Sequence, residues 1–496
     1  MDSHANPPTD RPLATVALAA PPVVDGSFDE RLSDLGDLKR LEAAHRTTLA
    51  WCLERKNFLV CANNLWREDD HNAGFRAARG LAQLLADEAA AEPDTGRKQA
   101  LQKRAKAALR LTSITSKGNA LKGMPGIVVR EERFDHPVRT RGLLHCANRV
   151  VVDLRTGAVR PSVPNDYFMK ITGAAYVPGA PAPHFAQFLL SSFAGDVEVI
   201  DYLQRLVGMT ALGDPKERVL IFSNGGGTNG KGTFDKAISR TLGTYAQATS
   251  PAVLMTKHHG GGPSPELMRL KGVRAAFASE SREGDTLDTA VVKRLSGNDT
   301  ITARPLYGGE IEIAPTWPIW LATNTLPCIT DTTHSIWTRV KVINWPVQFL
   351  TPAEAARLRP QPALGEKPLP LIDKELEDKL AAEVDGILQW IIEGAQKYLA
   401  DGLREPESVR RAGLQYRQEQ DSVAAWVDTC CILNPSDSTP YAVLRTSYVA
   451  YCRGENIMAL GRGRFIVALG GFGMAKTRGT GGMRKYSGVR LPTEYE

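Results

Sequence analysis

The sequence predicts an α/β fold: a largely parallel sheet built around a phosphate-binding loop, preceded by a helical or mixed N-terminal domain and followed by a small winged-helix module. Three observations predict it. The apolar run Val219-Leu220-Ile221-Phe222 leads into a glycine-rich turn, a lysine and a helix-like segment from about Thr233 to Leu242. Further apolar runs follow, separated by helical text and each ending on polar residues, which is the grammar of a parallel sheet with its site at the strand ends. The chain then closes on helices, a basic glycine-rich turn and a short strand.

Composition sets the bounds. The 496 residues suffice for about three domains. A content of 43% hydrophobic and 23% charged residues fits a globular chain, and the net charge of +6 permits nucleic acid as a partner without requiring it. The seven cysteines are scattered with no C-x-x-C pair, which argues for reduced thiols rather than a disulfide framework or a zinc site. No apolar run approaches membrane-spanning length, and Met1-Asp2-Ser3-His4 does not begin a signal peptide, so the expected location is the cytoplasm and no membrane partner is expected.

In chain order, residues 1–27 are rich in proline and alanine and read as a disordered leader. From about Phe28 to Thr115 the text reads as helical, with Leu41, Leu49, Leu81 and Leu85 near helical spacing; its basic stretch, Arg97 to Lys106, fits a solvated helix face better than a nucleic-acid site. Val150 to Leu154, a turn at Thr156-Gly157 and Val159 to Pro161 predict a β-hairpin. Pro178, Pro181 and Pro183 mark a linker before a helical block, His184 to Leu212. Strands are then predicted at Val219–Phe222, Arg274–Ala278, Trp317–Ala322 and Arg339–Asn344. The tandem His258-His259 fits a glycine-rich loop better than a metal site, because no carboxylate or cysteine accompanies it at ligand spacing. The resulting division is 28–183, N-terminal helical plus β; 184–350, the phosphate-loop core; 351–405, a proline-rich linker with helices; and 406–496, the winged-helix module.

The phosphate loop comprises Gly225, Gly226, Gly227, Thr228, Asn229, Gly230, Lys231, Gly232, Thr233 and Phe234. Its glycines let backbone N–H groups turn towards phosphate oxygens, the helix N-terminus adds its positive end, and Lys231 reaches the β- and γ-phosphates. The pattern G-x-x-x-x-G-K-[ST] holds through Lys231, but Gly232 stands where the metal-binding hydroxyl belongs. Either Thr233 takes over the Mg²⁺ contact or an acidic residue elsewhere carries the ion. Hydrolysis of ATP also needs a metal holder, a group that orients water and a positive charge for the transition state. Glu280, at a strand end, is the candidate to bind Mg²⁺ or polarise the water. Asn324, at another strand end, would hold that water or sense the γ-phosphate. Arg339 is a candidate arginine finger. Each has a plain alternative: a salt bridge for Glu280, a turn cap for Asn324, a structural role for Arg339.

On these segments the chain resembles the phage/plasmid primase-helicase family, whose motor is a superfamily 3 DNA helicase. Gly225 to Phe234 resembles its Walker A, Phe277-Ala278-Ser279-Glu280 its Walker B, Lys293 to Arg304 the motif before sensor 1, and Leu321-Ala322-Thr323-Asn324 the motif ending on the sensor asparagine. Trp337-Thr338-Arg339-Val340 lies where the family carries its arginine finger; Val150 to Tyr176 resembles the domain that precedes the motor in poxvirus and phage members, and Asp421 to Leu491 the C-terminal winged helix. Two departures stand: Ser279 replaces a second acid, and the first 120 or so residues carry no recognisable primase pattern. The resemblance implies an AAA+ type core in a ring, a hexamer by expectation, with ATP and Mg²⁺ between subunits and 3′–5′ movement on single-stranded DNA. Lys293, Arg294 and Arg304 are candidates to meet the DNA backbone in the channel, with Tyr307 to stack on a base, and duplex DNA, a primase or an initiator protein would be a further partner. The plain alternative for these four is a solvated hairpin with ordinary salt bridges. A competing reading is an ATP-dependent initiator that melts or marks DNA without processive unwinding; a weaker one is a metabolic kinase, disfavoured by Asn324 and Arg339.

Overall fold

The computed structural model describes residues 33–69, 73–115, 127–214, 216–256, 265–279, 285–297, 300–303, 311–329, 331, 334–359, 369–455, 457, 459–478 and 483–492. The leader, His258-His259, Glu280, Arg304 and Tyr307 lie outside these residues.

The N-terminal region is mixed rather than all-helical. After α1 (Asp34–His45), capped by the Ser33 hydroxyl on the Gly36 amide at 3.0 Å, come β1 (Leu49–Cys52), β2 (Asn57–Ala62) and β3 (Leu65–Glu68). The helical reading of this stretch is corrected by its turns. Asn63 and Asn64 both have positive φ, 56° and 62°, and join β2 to β3 as a two-residue hairpin loop of the primed kind, a conformation asparagine tolerates. The helices α2 (Ala73–Ala91) and α3 (Thr95–Thr115) do pair, through Leu81, Leu85, Ala89, Leu101 and Ala105. The short β4 (Val128–Val129) completes a sheet in the order β3-β2-β1-β4. A second small sheet follows: β5 (Leu143–His145), β6 (Val150–Asp153) and β7 (Val159–Pro161), antiparallel, with the last two forming the expected hairpin.

The helical block divides into α4 (Pro183–Ser192) and α5 (Val197–Leu212), broken where Asp196 caps the second helix by accepting from the Glu198 and Val199 amides. Then comes the central sheet. Its strands are β8 (Leu220–Asn224), β9 (Ala246–Thr249), β10 (Ala275–Ser279), β13 (Ile319–Thr323) and β14 (Val340–Asn344); α6 (Lys231–Leu242) follows β8, while α7 (Pro265–Met268) and α8 (Thr289–Leu295) flank β10. The order is β14-β8-β13-β10-β9 and every pairing is parallel. The strands are nearly continuous in apolar residues because both faces are covered. Ile221, Trp320 and Ile343 pack with α4, α5 and α6, whereas Leu220, Phe222, Leu321 and Val342 face the other side. A hairpin of β11 (Ile301–Ala303) and β12 (Ile311–Ile313) interrupts the sheet between α8 and β13, and α9 (His334–Trp337) precedes β14.

Beyond the sheet lie α10 (Pro352–Leu358), α11 (Leu376–Ala382) and α12 (Val384–Asp401). The last of these crosses α5 at glycines: a Cβ on Gly208 would lie 2.0 Å from the Ala395 nitrogen and one on Gly394 2.2 Å from the Gln204 oxygen. The next helix, α13 (Glu407–Glu419), packs on the sheet through Tyr416, which contacts Phe222 and Trp337 edge-on and hydrogen-bonds the Pro327 carbonyl. A separate core then unites α14 (Ser422–Cys430), β15 (Ile432–Pro440), α15 (Tyr441–Gly454), α16 (Arg462–Gly471), β16 (Lys476–Arg478) and β17 (Arg484–Arg490) around Trp426, Tyr448 and Phe465. Its strands run in the order β15-β17-β16.

The N-terminal sheets are tied to the central one by buried charge. The Arg274 guanidinium, at the entrance to β10, donates to the carbonyls of Thr140 at 2.7 Å and Leu143 at 2.8 Å, and to that of Ala211, while lying 4.9 Å over the Tyr245 ring. Glu131 accepts from Arg55 on its own side of the junction and pairs with Lys271 on the other.

Candidate active site

The loop after β8 starts at Gly225, whose amide donates to the Thr323 carbonyl at 3.3 Å, and ends at Gly230, the residue before α6. One of its glycines is required by geometry and a second is tightly placed. Gly230 has φ +90°, and a Cβ there would sit 2.8 Å from a ring carbon of Phe188. A Cβ on Gly225 would lie 3.0 Å from the Trp345 carbonyl oxygen. Asn229 fixes the loop from inside: its amide nitrogen donates to the carbonyls of Trp345 at 3.1 Å and Val347 at 2.9 Å. The sequence suggested Asn229 as a nucleotide contact; its observed bonds tie the loop to the segment after β14.

Lys231 is only 8% exposed. Its ammonium donates to the Gly225 carbonyl and to Asn324 Oδ1 at 3.1 Å. Sheet order explains the second contact, because β8 and β13 are neighbours in parallel and both end at this edge, Thr323 opposite Asn224. Thus Lys231 and Asn324, 93 residues apart in the chain, meet in space. Burial lowers the Lys231 pKa, and the carboxylate of Asp235 one helical turn away opposes that shift. Burial in turn pushes the Asp235 carboxyl up to about 7 despite the lysine. Asp235 Oδ1 is shielded from solvent and accepts no hydrogen bond, as is Asn229 Oδ1. Asp235 was not among the residues singled out from the sequence; its i,i+4 spacing from Lys231 was the available signal.

Gly232 leaves open space: nothing lies within 4 Å of a Cβ built there. Thr233 is half-buried on the same helix, and Phe234 is fully buried among Phe185, Trp320 and Trp345. Gly226 and Gly227 are unobstructed, and Gly227 and Thr228 both have positive φ, 101° and 46°, the kind of turn that brings successive N–H groups to one side.

Arg339 stands elsewhere. It immediately precedes β14, its carbonyl accepts from the Leu220 amide, and its guanidinium donates to the Ser335 carbonyl. Val340 pairs with Leu220 and Asn344 with Asn224, so Arg339 and Gly225 are about six strand residues apart, roughly 20 Å along the sheet. Arg339 Nε is shielded from solvent without a partner, and burial together with the neighbouring Arg218 lowers its pKa from the usual arginine value. The structure therefore brings Lys231 and Asn324 together and sets Arg339 at the opposite end of the same sheet.

Of the residues suggested for DNA, Lys293 pairs with Asp331 at 2.7 Å, and Asp331 is buried. Arg294, its neighbour on α8, is exposed. Arg304 and Tyr307 belong to the segment between β11 and β12, and Glu280 follows β10; all three lie outside the described residues. Among the described residues no cluster of three or more His, Cys, Asp or Glu is arranged to hold a metal alone, and no helix is long and apolar enough to cross a membrane.

Comparison with known proteins bears on the same regions. Residues 39–193 match a family model described as "D5 N terminal like". That span takes in the sheet of β1–β4, which sequence reasoning left without a role, and runs through α4. The chain is 28% identical over 55% of its length to "Putative helicase L207/L206" of Acanthamoeba polyphaga mimivirus, covering 28% of that protein. It is 30% identical over 48% of its length to "Putative helicase 022R" of Frog virus 3, covering 24% of it. It is 22% identical over 54% of its length to "Putative primase C962R" of African swine fever virus, covering 28%. The chain thus spans about a quarter of the length of these relatives. A solved structure described as the apo form of the NrS-1 C terminal region aligns with 89% of this chain and 96% of its own, at 10% identity and a TM-score of 0.42.

Proposed function

We propose that this chain, which belongs with the phage and viral primase-helicases, is an ATP-driven DNA motor: an AAA+ type phosphate-loop core that hydrolyses ATP at a subunit boundary and moves on single-stranded DNA, with a C-terminal winged helix that contacts duplex DNA or a replication partner. The observation that carries the reading is the meeting of Lys231 with Asn324 at the carboxyl edge of the parallel sheet, beside a loop that ends on the obligatory Gly230. That is where a triphosphate binds in open α/β sheets.

The chain's residues divide the work. Loop N–H groups and Lys231 receive the phosphates, and Lys231 exchanges the Gly225 carbonyl for phosphate oxygen. Asn324, already within hydrogen-bond distance of the lysine, is placed to orient the attacking water or to register the γ-phosphate. Mg²⁺, when bound, neutralises charge on the phosphate oxygens. Thr233 and Glu280 are its candidate ligands in this reading, and a shielded, unpartnered carboxylate oxygen nearby fits a cationic guest. Arg339 acts in trans: some 20 Å from its own loop, it supplies its charge to a neighbouring protomer's nucleotide. A ring follows, hexameric in the expected case.

Two measurements test this together. ATP turnover by the full chain should rise with single-stranded DNA, and particle mass under the same conditions should correspond to several protomers. A monomer that consumes ATP at the same rate with or without DNA sinks the proposal. Strand displacement on a long forked duplex separates a helicase from a protein that melts DNA only locally.

A further inference from the structure

The hydroxyl that ordinarily follows the phosphate-loop lysine is absent at Gly232, and we infer that Asp235 does its work, holding the hydrated divalent cation of the bound nucleotide through water. This rests on the nucleotide reading above and adds to it a residue that neither the phosphate-loop motif nor the family resemblance assigns.

Helix geometry places the group. At about 100° per residue, with Lys231 at zero, Gly232 lies near 100°, Thr233 near 200° and Asp235 near 40° around α6. Asp235 therefore stands between the directions of Lys231 and Gly232, one turn below them, while Thr233 is turned about 160° away from it. Side chains on a helix lean towards its N-terminus, so Asp235 leans towards the phosphate loop. The space above Gly232 is open, with nothing within 4 Å of where a Cβ would be. The absent side chain thus leaves room that a carboxylate from the next turn faces.

The chemistry of the pair also needs a cation. Asp235 Oδ1 is shielded from solvent and unpartnered, and its electrostatic partner is Lys231, the residue that must turn to the phosphates. A bare carboxylate next to a triphosphate would repel it. Mg²⁺ binds through few carboxylates, the substrate phosphates and several retained waters, and those waters present hydrogens that the free oxygen can accept. A carboxylate in this position converts a repulsion into a second line of attachment for the ion. On the same wheel Thr233 lies about 100° from Gly232 and Asp235 about 60°, so the carboxylate is the nearer of the two to that space.

The test uses the full chain with ADP and Mn²⁺, bound metal being read by electron paramagnetic resonance and nucleotide binding separately in EDTA. Asp235→Asn should weaken Mn²⁺ binding in the ADP complex by about tenfold, the usual scale for losing an outer-shell partner. Metal-free ADP binding should be unchanged or tighter, because a negative charge has gone. Gly232→Ser in the Asp235→Asn background should restore most of the Mn²⁺ affinity, since the site has room for the hydroxyl. Unchanged Mn²⁺ affinity in Asp235→Asn, with ADP still bound, overturns the inference and leaves the nucleotide reading standing. Failure of the wild-type chain to bind ADP at all overturns the nucleotide reading itself. If Asp235→Asn does not fold, Gly232→Ser in the wild-type chain decides: a gain under about twofold supports Asp235 as the existing holder, and a gain of about tenfold or more shows the post vacant.

Discussion

Two charged regions of the molecule handle burial in opposite ways. At the junction between the N-terminal sheets and the central sheet, charges are closed. Arg274 spends its guanidinium on three backbone carbonyls and a tyrosine face, and Glu131 is gripped by Arg55 and Lys271. At the central sheet's two ends, single polar atoms are left over. Asp235 Oδ1, Asn229 Oδ1 and Arg339 Nε are shielded and accept or donate nothing. Native proteins rarely leave such atoms unmet, because each costs about 1–3 kcal/mol. A closed network is explained by the fold alone. An open one leaves room for something that arrives; in the function proposed above that is a nucleotide with its ion at one end of the sheet and a neighbouring protomer at the other.

The contrast makes the variants separable. Lys231→Ala should abolish ATP turnover, a loss of at least about 10³-fold, while leaving thermal stability within about 1 kcal/mol, since relief of a desolvated cation offsets the loss of its bonds to Gly225 and Asn324. A variant that keeps its turnover would take Lys231 out of the site. Arg339→Ala should lose about 10³-fold in turnover with nucleotide binding intact. Rings mixed from Arg339→Ala and Lys231→Ala protomers should recover part of the activity, because some boundaries then pair a sound loop with a sound arginine. Absence of recovery at every mixing ratio would count against action between protomers.

Glu131→Gln attacks the closed network, and its effect should appear in stability instead. Burial alone would raise this carboxyl, but hydrogen bonds from Arg55 and the charge of Lys271 hold it down at about 2, against 4.5. A folded-state pKa below the unfolded one gives stability that is present above pH 4.5 and fades as pH falls towards 2, on the order of 3 kcal/mol in all. The variant should therefore be about 2–3 kcal/mol less stable at pH 7, and the gap from wild type should narrow by roughly 2 kcal/mol on going to pH 3. Asp135, four residues on, runs the other way. Burial raises it to about 6, so its contribution falls as pH rises from 3.8 to 6. A gap that stays constant from pH 7 to pH 3 would show that the Glu131 charge is not what holds the junction.

How much of this was legible beforehand follows from the range over which each signal acts. The loop, its helix and the strands of the central sheet could be read because apolar runs, glycines and a lysine lie within a few residues of one another. The sheet of β1–β3 was missed because its runs of four to six residues sit among leucine- and alanine-rich helical text, and only the Asn63-Asn64 turn betrays it. That Lys231 would touch Asn324, or that Arg339 would lie at the far end of the sheet, depends on strand order and register, which no local pattern encodes. The ion pair between Lys293 and Asp331 joins residues 38 apart, and so a lysine that looked available for DNA is engaged elsewhere.

That pair gives the finest form of the comparison, because Lys293 and Arg294 are adjacent on α8 and differ in whether they are closed. Lys293→Ala should strip buried Asp331 of a partner and lower stability by about 1–2 kcal/mol, between the values for exposed and buried pairs. Arg294→Ala should leave stability within about 0.5 kcal/mol, as for most exposed positions. If Arg294 meets the DNA backbone, the same change should weaken single-stranded DNA binding a few-fold and flatten the plot of log affinity against log salt by about 0.7, the share of one phosphate contact. Binding and melting curves for the two variants side by side decide between the roles. A salt slope that shifts for Lys293→Ala and not for Arg294→Ala would reverse the assignment, and would mean that the ion pair opens when DNA arrives.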